Sequence, residues 1–208
     1  MSMQSPSQRA SHWLQQFEKA LSTSDLGAVA KLFAPECYWR DLVAFTWNIK
    51  TQEGREAIGD MLSSQLQHVK PSHFTLSGDA TEADGVVDAW FNFETATSRG
   101  LGHVRLKAGD PGDQAWTLLT TMVELKGFEE RKGERRIKGA EHGVHPGRKT
   151  WLELRKEEQE TLGFKEQPYT VIIGGGQGGI MLAARLRRLG VPTIVIERNE
   201  RPGDSWRK

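Results

Sequence analysis

A chain of 208 residues with 37% hydrophobic residues is long enough to build one large hydrophobic core or two small ones. Its formal net charge of +1 gives no electrostatic reason to expect nucleic acid or an anionic membrane surface as a partner. The single cysteine, Cys37, excludes an internal disulfide and a cysteine-based metal cluster, and is typical of a small buried side chain. The polar N-terminus MSMQSPSQRA lacks the apolar core of a signal peptide, and no apolar run reaches the ~20 residues of a membrane span. We therefore expect a soluble cytoplasmic protein.

Three helices are predicted in the first third of the chain, where apolar residues recur at helical spacing. Ser11 is the candidate N-cap of the first, residues 12–21, and the third covers residues 54–67. The second begins after Asp25, and Pro35 is expected to end it. A strand, residues 37–42, is predicted between the second and third helices.

Four strands are predicted after these helices, with turn residues between them. Apolar and polar side chains alternate in the second strand, so every second residue of 87–93 would share one face of a sheet. Helices followed by meandering antiparallel strands are an α+β order. The four strands cover residues 73–76, 86–93, 101–107 and 116–125.

Two titratable residues in this region are candidates for an acid/base pair. Asp41 and His103 could exchange protons with a substrate if the fold brought them together. The favoured alternative makes Asp41 half of a strand-end ion pair with Arg40, and gives His103 a structural role. Three tryptophans could line a ligand cavity, although core packing is the favoured interpretation. They are Trp47, Trp90 and Trp116.

Residues 127–167 carry dense charge of both signs and little apolar content. Because acids match the basic residues, we interpret this segment as a solvated linker rather than a nucleic-acid patch. Thr150 is a candidate cap for a short helix, residues 151–162. His142 and His145 lack a further ligand at a suitable spacing, so no metal site is predicted.

A strand–turn–helix–strand pattern follows the linker. The stretch YTVIIGGGQGG ends an apolar strand in the GxGxxG glycines Gly174, Gly176 and Gly179, and Glu197 follows about 20 residues later. Together these features predict a dinucleotide-binding βαβ unit, against the alternative of a glycine-rich turn in another α/β fold. The strands cover residues 170–173 and 191–196, and the helix covers residues 180–189.

Each part of this pattern has a physical role in binding a dinucleotide. Gly174 allows a tight turn, Gly176 lets the backbone approach a pyrophosphate, and Gly179 lets the helix pack close to the strand. The free amides and positive end of the helix would face the phosphates. Glu197 can accept hydrogen bonds from both ribose hydroxyls and would repel a 2′-phosphate, which favours FAD or NAD over NADP here.

Residues 8–126 resemble an NTF2-like, SnoaL-type cone domain, on their element order and the segment CYWRDLVAFTWNIKTQEGREAI. The resemblance implies about three helices wrapped against a strongly bent sheet that encloses an apolar pocket. That fold serves enzymes, ligand binders and dimerisation modules, so it assigns no chemistry alone. It allows a homodimer through this domain.

The C-terminal part resembles the start of the FAD domain of flavin-containing monooxygenases and Baeyer–Villiger enzymes. There the glycine motif takes the FAD pyrophosphate, the acid takes the adenosine ribose, and a GGxW-like segment lies against the cofactor. Asp204 replaces the second glycine of GGxW here. The cofactor-binding residues implied are Gly174, Gly175, Gly176, Gln177, Gly178, Gly179, Glu197, Gly203, Ser205 and Trp206.

The expected architecture is an α+β NTF2-like cone domain followed by a partial α/β Rossmann βαβ unit that starts an FAD-binding domain, residues 168–208. This resembles the N-terminal fragment of a flavin monooxygenase whose NADPH site lies outside these residues. Such enzymes oxygenate a small organic substrate through a C4a-(hydro)peroxyflavin, and this fragment alone is expected to be inactive. No catalytic residue is assigned. The alternatives are another FAD- or NAD-dependent oxidoreductase, and a non-catalytic NTF2-like ligand-binding or dimerisation module.

Overall fold

The computed structural model describes residues 4–110, 112–136, 143–201 and 203–207, in two compact units, Met1–Glu129 and Glu130–Lys208. Among the helices of these residues, none has the length and apolar character needed to cross a membrane.

The first unit begins with three helices. Helix α1 spans Pro6–Ser22, α2 spans Leu26–Lys31 and α3 spans Gly54–Val69. The predicted cap Ser11 is wrong, because Ser5 caps α1 in a capping box with Gln8, and Ser11 lies inside the helix.

The strands of the described residues are β1 Phe33–Leu42, β2 Ile49–Glu53, β3 Ser72–Leu76, β4 Thr81–Ala83, β5 Val86–Glu94, β6 Ser98–Lys107 and β7 Gln114–Leu125. They form one sheet in the order β2-β1-β7-β6-β5-β3, with β4 paired to β5. Strands β1 and β7 are parallel, and the other pairs are antiparallel. Pro35 does not end α2 as predicted; it lies in β1, where the pairing with β7 is irregular.

Aromatic side chains fill the space between the helices and the inner face of the sheet. Neighbouring ring centroids lie 4.8 to 6.1 Å apart, in stacked, tilted and edge-on pairs. In the part of the chain that the structure describes, these rings therefore form a large part of the core of the first unit. The buried rings are Trp13, Phe17, Phe33, Trp39, Phe45, Phe74, Phe91 and Phe93.

Two glycines of β6 make room for two of these rings. A Cβ on Gly100 would lie 2.2 Å from Cζ of Phe93, and one on Gly102 would lie 2.1 Å from Cζ of Phe91. Gly100 lies outside the predicted strand 101–107, yet it is a strand residue that pairs with Phe93 of β5, the phenylalanine that covers it.

The second unit contains helix α4 and a small parallel sheet. Helix α4 spans Trp151–Thr161, begins at a capping box of Thr150 and Glu153, and leaves Trp151 exposed. Strand β8, Thr170–Ile173, pairs in parallel with β9, Thr193–Ile196, and helix α5, Gln177–Arg188, connects them.

The last turn of α5 carries arginines that pair with acids of the preceding segment. Arg185 donates to both carboxylate oxygens of Glu130, at 2.5 and 2.9 Å, and Arg187 lies 3.3 Å from Glu158. The guanidinium of Arg185 holds the pKa of Glu130 below its ordinary value. These pairs join acids of this segment to arginines outside it, whereas Lys149 and Glu157 form an ion pair within it.

Candidate functional site

The glycine turn between β8 and α5 has the geometry that its motif predicts. Gly174 has φ of +104° and donates to the carbonyl oxygen of Ile196 at 2.7 Å, one residue beyond the regular ladder. A Cβ on Gly179 would lie 1.9 Å from the carbonyl oxygen of Gly174. Helix α5 therefore packs directly on the turn, and only glycine fits at position 179.

The N-terminus of α5 offers unpaired backbone donors. Gly176 is the N-cap and has no capping side chain, and the first helical hydrogen bond runs from Ile180 N to Gly176 O at 2.9 Å. Among the described groups, the amides of Gln177, Gly178 and Gly179 have no acceptor, and a Cβ on Gly178 would meet no atom within 4 Å. This helix end therefore suits an anionic group such as a pyrophosphate.

Glu197 lies at the carboxyl end of β9, beside the glycine turn. Its Oε2 accepts a hydrogen bond from the N–H of Gly175, and its Oε1 accepts from the backbone N–H and side-chain amide of Asn199, at 2.8 and 2.7 Å. The backbone bonds from Asn199 and Gly175 are the main reason that the pKa of Glu197 lies below its ordinary value. Sequence reasoning missed Asn199; its signal is an asparagine two residues after the acid, where its side chain can bond locally.

The turn at Gly203, near the C-terminal end of the chain, contacts the glycine turn after β8. Gly203 has φ of +83°, and its N–H donates to the carbonyl oxygen of Gly175 at 3.0 Å. A Cβ on Gly203 would lie 3.4 Å from the ring of the exposed Trp206. The side chain of Ser205 lies outside the described part of the chain.

Asp204, at the position of the second glycine of GGxW, is buried and holds this turn together. Its carboxylate accepts from the backbone N–H of Arg201 at 3.2 Å and from Nη1 of Arg207 at 3.1 Å. The change from glycine therefore supplies a local anchor.

The predicted cofactor residues thus meet at one end of the β8–β9 sheet, joined through the peptide groups of Gly175. The helix amides can donate hydrogen bonds to a diphosphate, and the carboxylate of Glu197 can accept a hydrogen bond from a hydroxyl. This donor and acceptor set fits the adenosine diphosphate half of a dinucleotide. Contact between these residues and a cofactor stays a prediction.

Asp41 and His103 do not converge. Asp41 is fully buried and accepts hydrogen bonds from the amides of Phe45 and Thr46 and the hydroxyl of Thr120, at 2.7 to 3.1 Å. Arg40 donates instead to Oγ1 of Thr51 at 2.8 Å. The acid/base pair and the strand-end ion pair are therefore both wrong, because Asp41 anchors an internal turn.

His103 points to the other face of the sheet. Its neighbours in β6 face the core, since a Cβ on Gly102 would meet the ring of Phe91 and Val104 is buried. Nε2 of His103 lies instead 2.6 Å from Oδ1 of Asp88. Burial acts to raise the pKa of Asp88, but hydrogen bonds from His103 and Arg105 outweigh it and hold this pKa below its ordinary value. The partner of His103 could have been found only from the register of β5 and β6.

The three candidate tryptophans belong neither to a described cavity nor to the core. Trp47 is 60% exposed, and Trp90 is 46% exposed on the outer face, 4.5 Å from the ring of His103. The ring of Trp116 lies 3.6 Å from Nζ of Lys107. Strand alternation explains the correction for Trp90, since its neighbours Ala89 and Phe91 face inward.

The remaining candidate residues are the cysteine and the two histidines of the linker. Cys37 is buried, and burial raises the pKa of its thiol. His145 is exposed, and His142 lies outside the described residues. The described residues hold no group of three or more metal-ligating side chains.

Comparison with known families agrees with this two-unit structure. The model of the SnoaL-like domain matches residues 14–123, more than half of the chain, so the chain belongs to the SnoaL-like domain family. The first unit is thus an NTF2-like cone, as predicted. A model described as an FAD binding domain matches residues 168–207 and supports FAD as the ligand of the second unit.

Individual similar proteins match parts of the chain. Phytoene desaturase (lycopene-forming) from Pseudescherichia vulneris is 50% identical over 34 residues, which are 16% of this chain and 7% of that protein. The chain therefore matches only a small share of that curated relative. An NTF2-like protein with a cystatin-like fold from Novosphingobium aromaticivorans is 13% identical, with a TM-score of 0.46 over 55% of this chain and 80% of its own. An NTF2-like protein from Cytophaga hutchinsonii is 11% identical, with a TM-score of 0.45 over 55% and 95%.

Proposed function

We propose that this chain belongs to a flavin-dependent oxidoreductase and that its second unit holds the adenosine diphosphate half of FAD. The observation that carries the proposal is the linkage of Glu197, Gly175 and Gly203 beside the open N-terminus of α5, inside the segment that matches an FAD binding domain. The short identity with a phytoene desaturase supports the same class of enzyme.

The residues of the second unit have distinct roles in this proposal. The amides of Gln177, Gly178 and Gly179 bind the pyrophosphate, and Glu197 accepts a hydrogen bond from a ribose hydroxyl. The negative charge of Glu197, favoured by its lowered pKa, opposes a 2′-phosphate on that ribose. Bound FAD would supply the redox chemistry.

The reaction we propose is oxygenation of a small organic substrate, with NADPH as the source of electrons. The support is the combination of a SnoaL-like domain, a charged linker, the glycine motif and the GDSW turn, which resembles flavin monooxygenases. No residue of this chain is assigned to the nicotinamide. We therefore expect the 208-residue chain to bind the adenosine part of the cofactor without oxidising NADPH.

We propose a second, non-catalytic role for the first unit, as a dimerisation module. The supporting observation is that aromatic rings fill its described interior and that donors from three residues engage the buried carboxylate of Asp41. That carboxylate therefore lacks the access to a substrate that proton transfer requires.

The test measures nucleotide binding to the 208-residue chain by isothermal titration calorimetry. ADP should bind, and 2′-phospho-ADP should bind at least about 10-fold more weakly, because it brings a phosphate against Glu197. Glu197→Gln should narrow this difference, whereas Glu200→Gln, which changes an exposed acid three residues later, should leave it intact. Absence of ADP binding would overturn the proposal.

A further inference from the structure

The two oxygens of the Glu197 carboxylate are not equivalent. Oε1 accepts two hydrogen bonds, both from Asn199, through the backbone N–H at 2.8 Å and through Nδ2 at 2.7 Å. Oε2 accepts one hydrogen bond of regular geometry, from the N–H of Gly175, and the backbone of Arg198 makes a weaker contribution to the carboxylate. Because each carboxylate oxygen has two lone pairs, the hydrogen bonds from Asn199 fill Oε1, and Oε2 keeps one acceptor position.

This arrangement is fixed from several sides. Asn199 is half-buried and lies in the turn after β9, so its backbone and side chain approach the same oxygen as a two-point clamp. The peptide that donates to Oε2 is held in turn, because the carbonyl oxygen of Gly175 accepts from Gly203 at 3.0 Å. A Cβ on Gly175 would lie 2.9 Å from Oε2, which shows how closely the carboxylate sits on the turn.

We propose that Asn199 is a positioning residue that occupies Oε1 of Glu197, so that the site recognises a ribose through Oε2 alone and therefore through one hydroxyl. This inference rests on the proposed binding of an adenosine diphosphate group. It differs from the expectation drawn from the sequence, in which Glu197 accepts hydrogen bonds from both ribose hydroxyls. Asn199 is then a specificity determinant, although it need not touch the ligand.

The clamp should be measurable as a difference in affinity between two nucleotide analogues. If one hydroxyl is bound, removing it should weaken ADP binding about 5-fold, and removing the other should have little effect. One of 2′-deoxy-ADP and 3′-deoxy-ADP should thus bind nearly as well as ADP. With two hydroxyls bound, both analogues would lose affinity to a similar extent.

The test is calorimetry of the 208-residue chain with ADP and both deoxy analogues, in the wild type and in Asn199→Ala. The alanine variant removes the Nδ2 hydrogen bond and frees one acceptor position of Oε1, while the backbone bond of residue 199 stays. ADP should bind about 3- to 5-fold more weakly because the carboxylate is less firmly positioned, and the ratio between the analogues should fall towards one. Asn199→Ser keeps a side-chain donor and should recover part of both effects. Glu200→Gln is the matched control and should keep the wild-type ratio.

A second readout separates positioning from a loss of structure. Carbon-detected NMR titration of Glu197 should give a higher pKa in Asn199→Ala than in the wild type, and an unchanged value in Glu200→Gln. This measurement requires no ligand.

The outcomes distinguish the two proposals. If the wild type does not bind ADP, the proposed function fails and this inference fails with it. If ADP binds but both deoxy analogues bind to the wild type more weakly than ADP by the same factor, only the role of Asn199 is overturned. The same holds if Asn199→Ala leaves the analogue ratio and the pKa of Glu197 unchanged.

Discussion

The backbone N–H of Gly175 donates a hydrogen bond to the carboxylate of Glu197, which lies 22 positions later in the chain. This bond joins the glycine turn after β8 to the end of β9. It also brings a negative charge next to the helix end where a diphosphate would bind. The geometry of the second unit therefore depends on contacts between a few peptide groups, and single substitutions at these contacts should test it.

The first prediction concerns the close contact between α5 and its preceding turn. Gly179→Ala should destabilise the second unit by about 2 kcal/mol, because the new Cβ would lie 1.9 Å from a backbone oxygen. Gly178→Ala is the matched control, since a Cβ there meets nothing within 4 Å and alanine favours a helix. Hydrogen exchange of the β8 amides measures the effect, and equal exchange in the two variants would contradict the packing.

The second prediction concerns the glycines under the phenylalanine rings. Gly102→Ala should lower the free energy of unfolding of the first unit by about 2–3 kcal/mol, because Phe91 must leave its position. Gly59→Ala, in α3, has open space around the new Cβ and should raise stability by up to about 1 kcal/mol. Urea denaturation followed by circular dichroism would give both values. A Gly102→Ala variant as stable as the wild type would refute the ring contact.

The third prediction concerns the buried carboxylate of Asp41. Asp41→Asn should cost about 3 kcal/mol, because an amide N–H₂ would face the donors of Phe45, Thr46 and Thr120. Asp60→Asn, on the exposed face of α3, should change stability by less than about 0.5 kcal/mol. Thermal unfolding of the two variants is the measurement, and similar midpoints would show that the carboxylate does not anchor the turn.

The fourth prediction is a pH dependence that comes from Arg99 and Glu129. The side chain of Arg99 is the largest cause, together with backbone hydrogen bonds from Glu129 and Gly127, of the lowering of the pKa of Glu129 from 4.5 to about 2 in the folded protein. A lowered folded pKa means that this stabilisation is complete above the unfolded pKa and is lost as pH falls from about 4.5 to 2. The difference in melting temperature between wild type and Arg99→Gln should therefore be larger at pH 7 than at pH 3.

The control for this experiment is Arg40→Gln, because the guanidinium of Arg40 donates to the hydroxyl of Thr51. Its effect on the melting temperature should vary less between the two pH values. A difference for Arg99→Gln that is constant with pH would exclude the Arg99–Glu129 pair as its cause.

Much of the second unit follows from patterns between residues close in sequence. Strand β8 covers the predicted residues 170–173, and the positive φ of Gly174 is what a turn after a strand requires. The contact of Gly203 with Gly175 was beyond prediction, because it joins segments 28 positions apart through a turn of unknown direction.

The sequence alone determined the class of each unit, its helices and most of its strands, and the chemistry of the glycine motif. These features depend on periodicity, capping and glycine spacing, which act over a few residues. Only the tertiary structure decided which side chains meet. Asp41 finds Thr120 across 79 positions, and His103 faces Asp88 rather than Asp41, because strand register sets both partner and face. A shift of one residue would exchange the two faces, and no local pattern around Asp41 or His103 specifies that register.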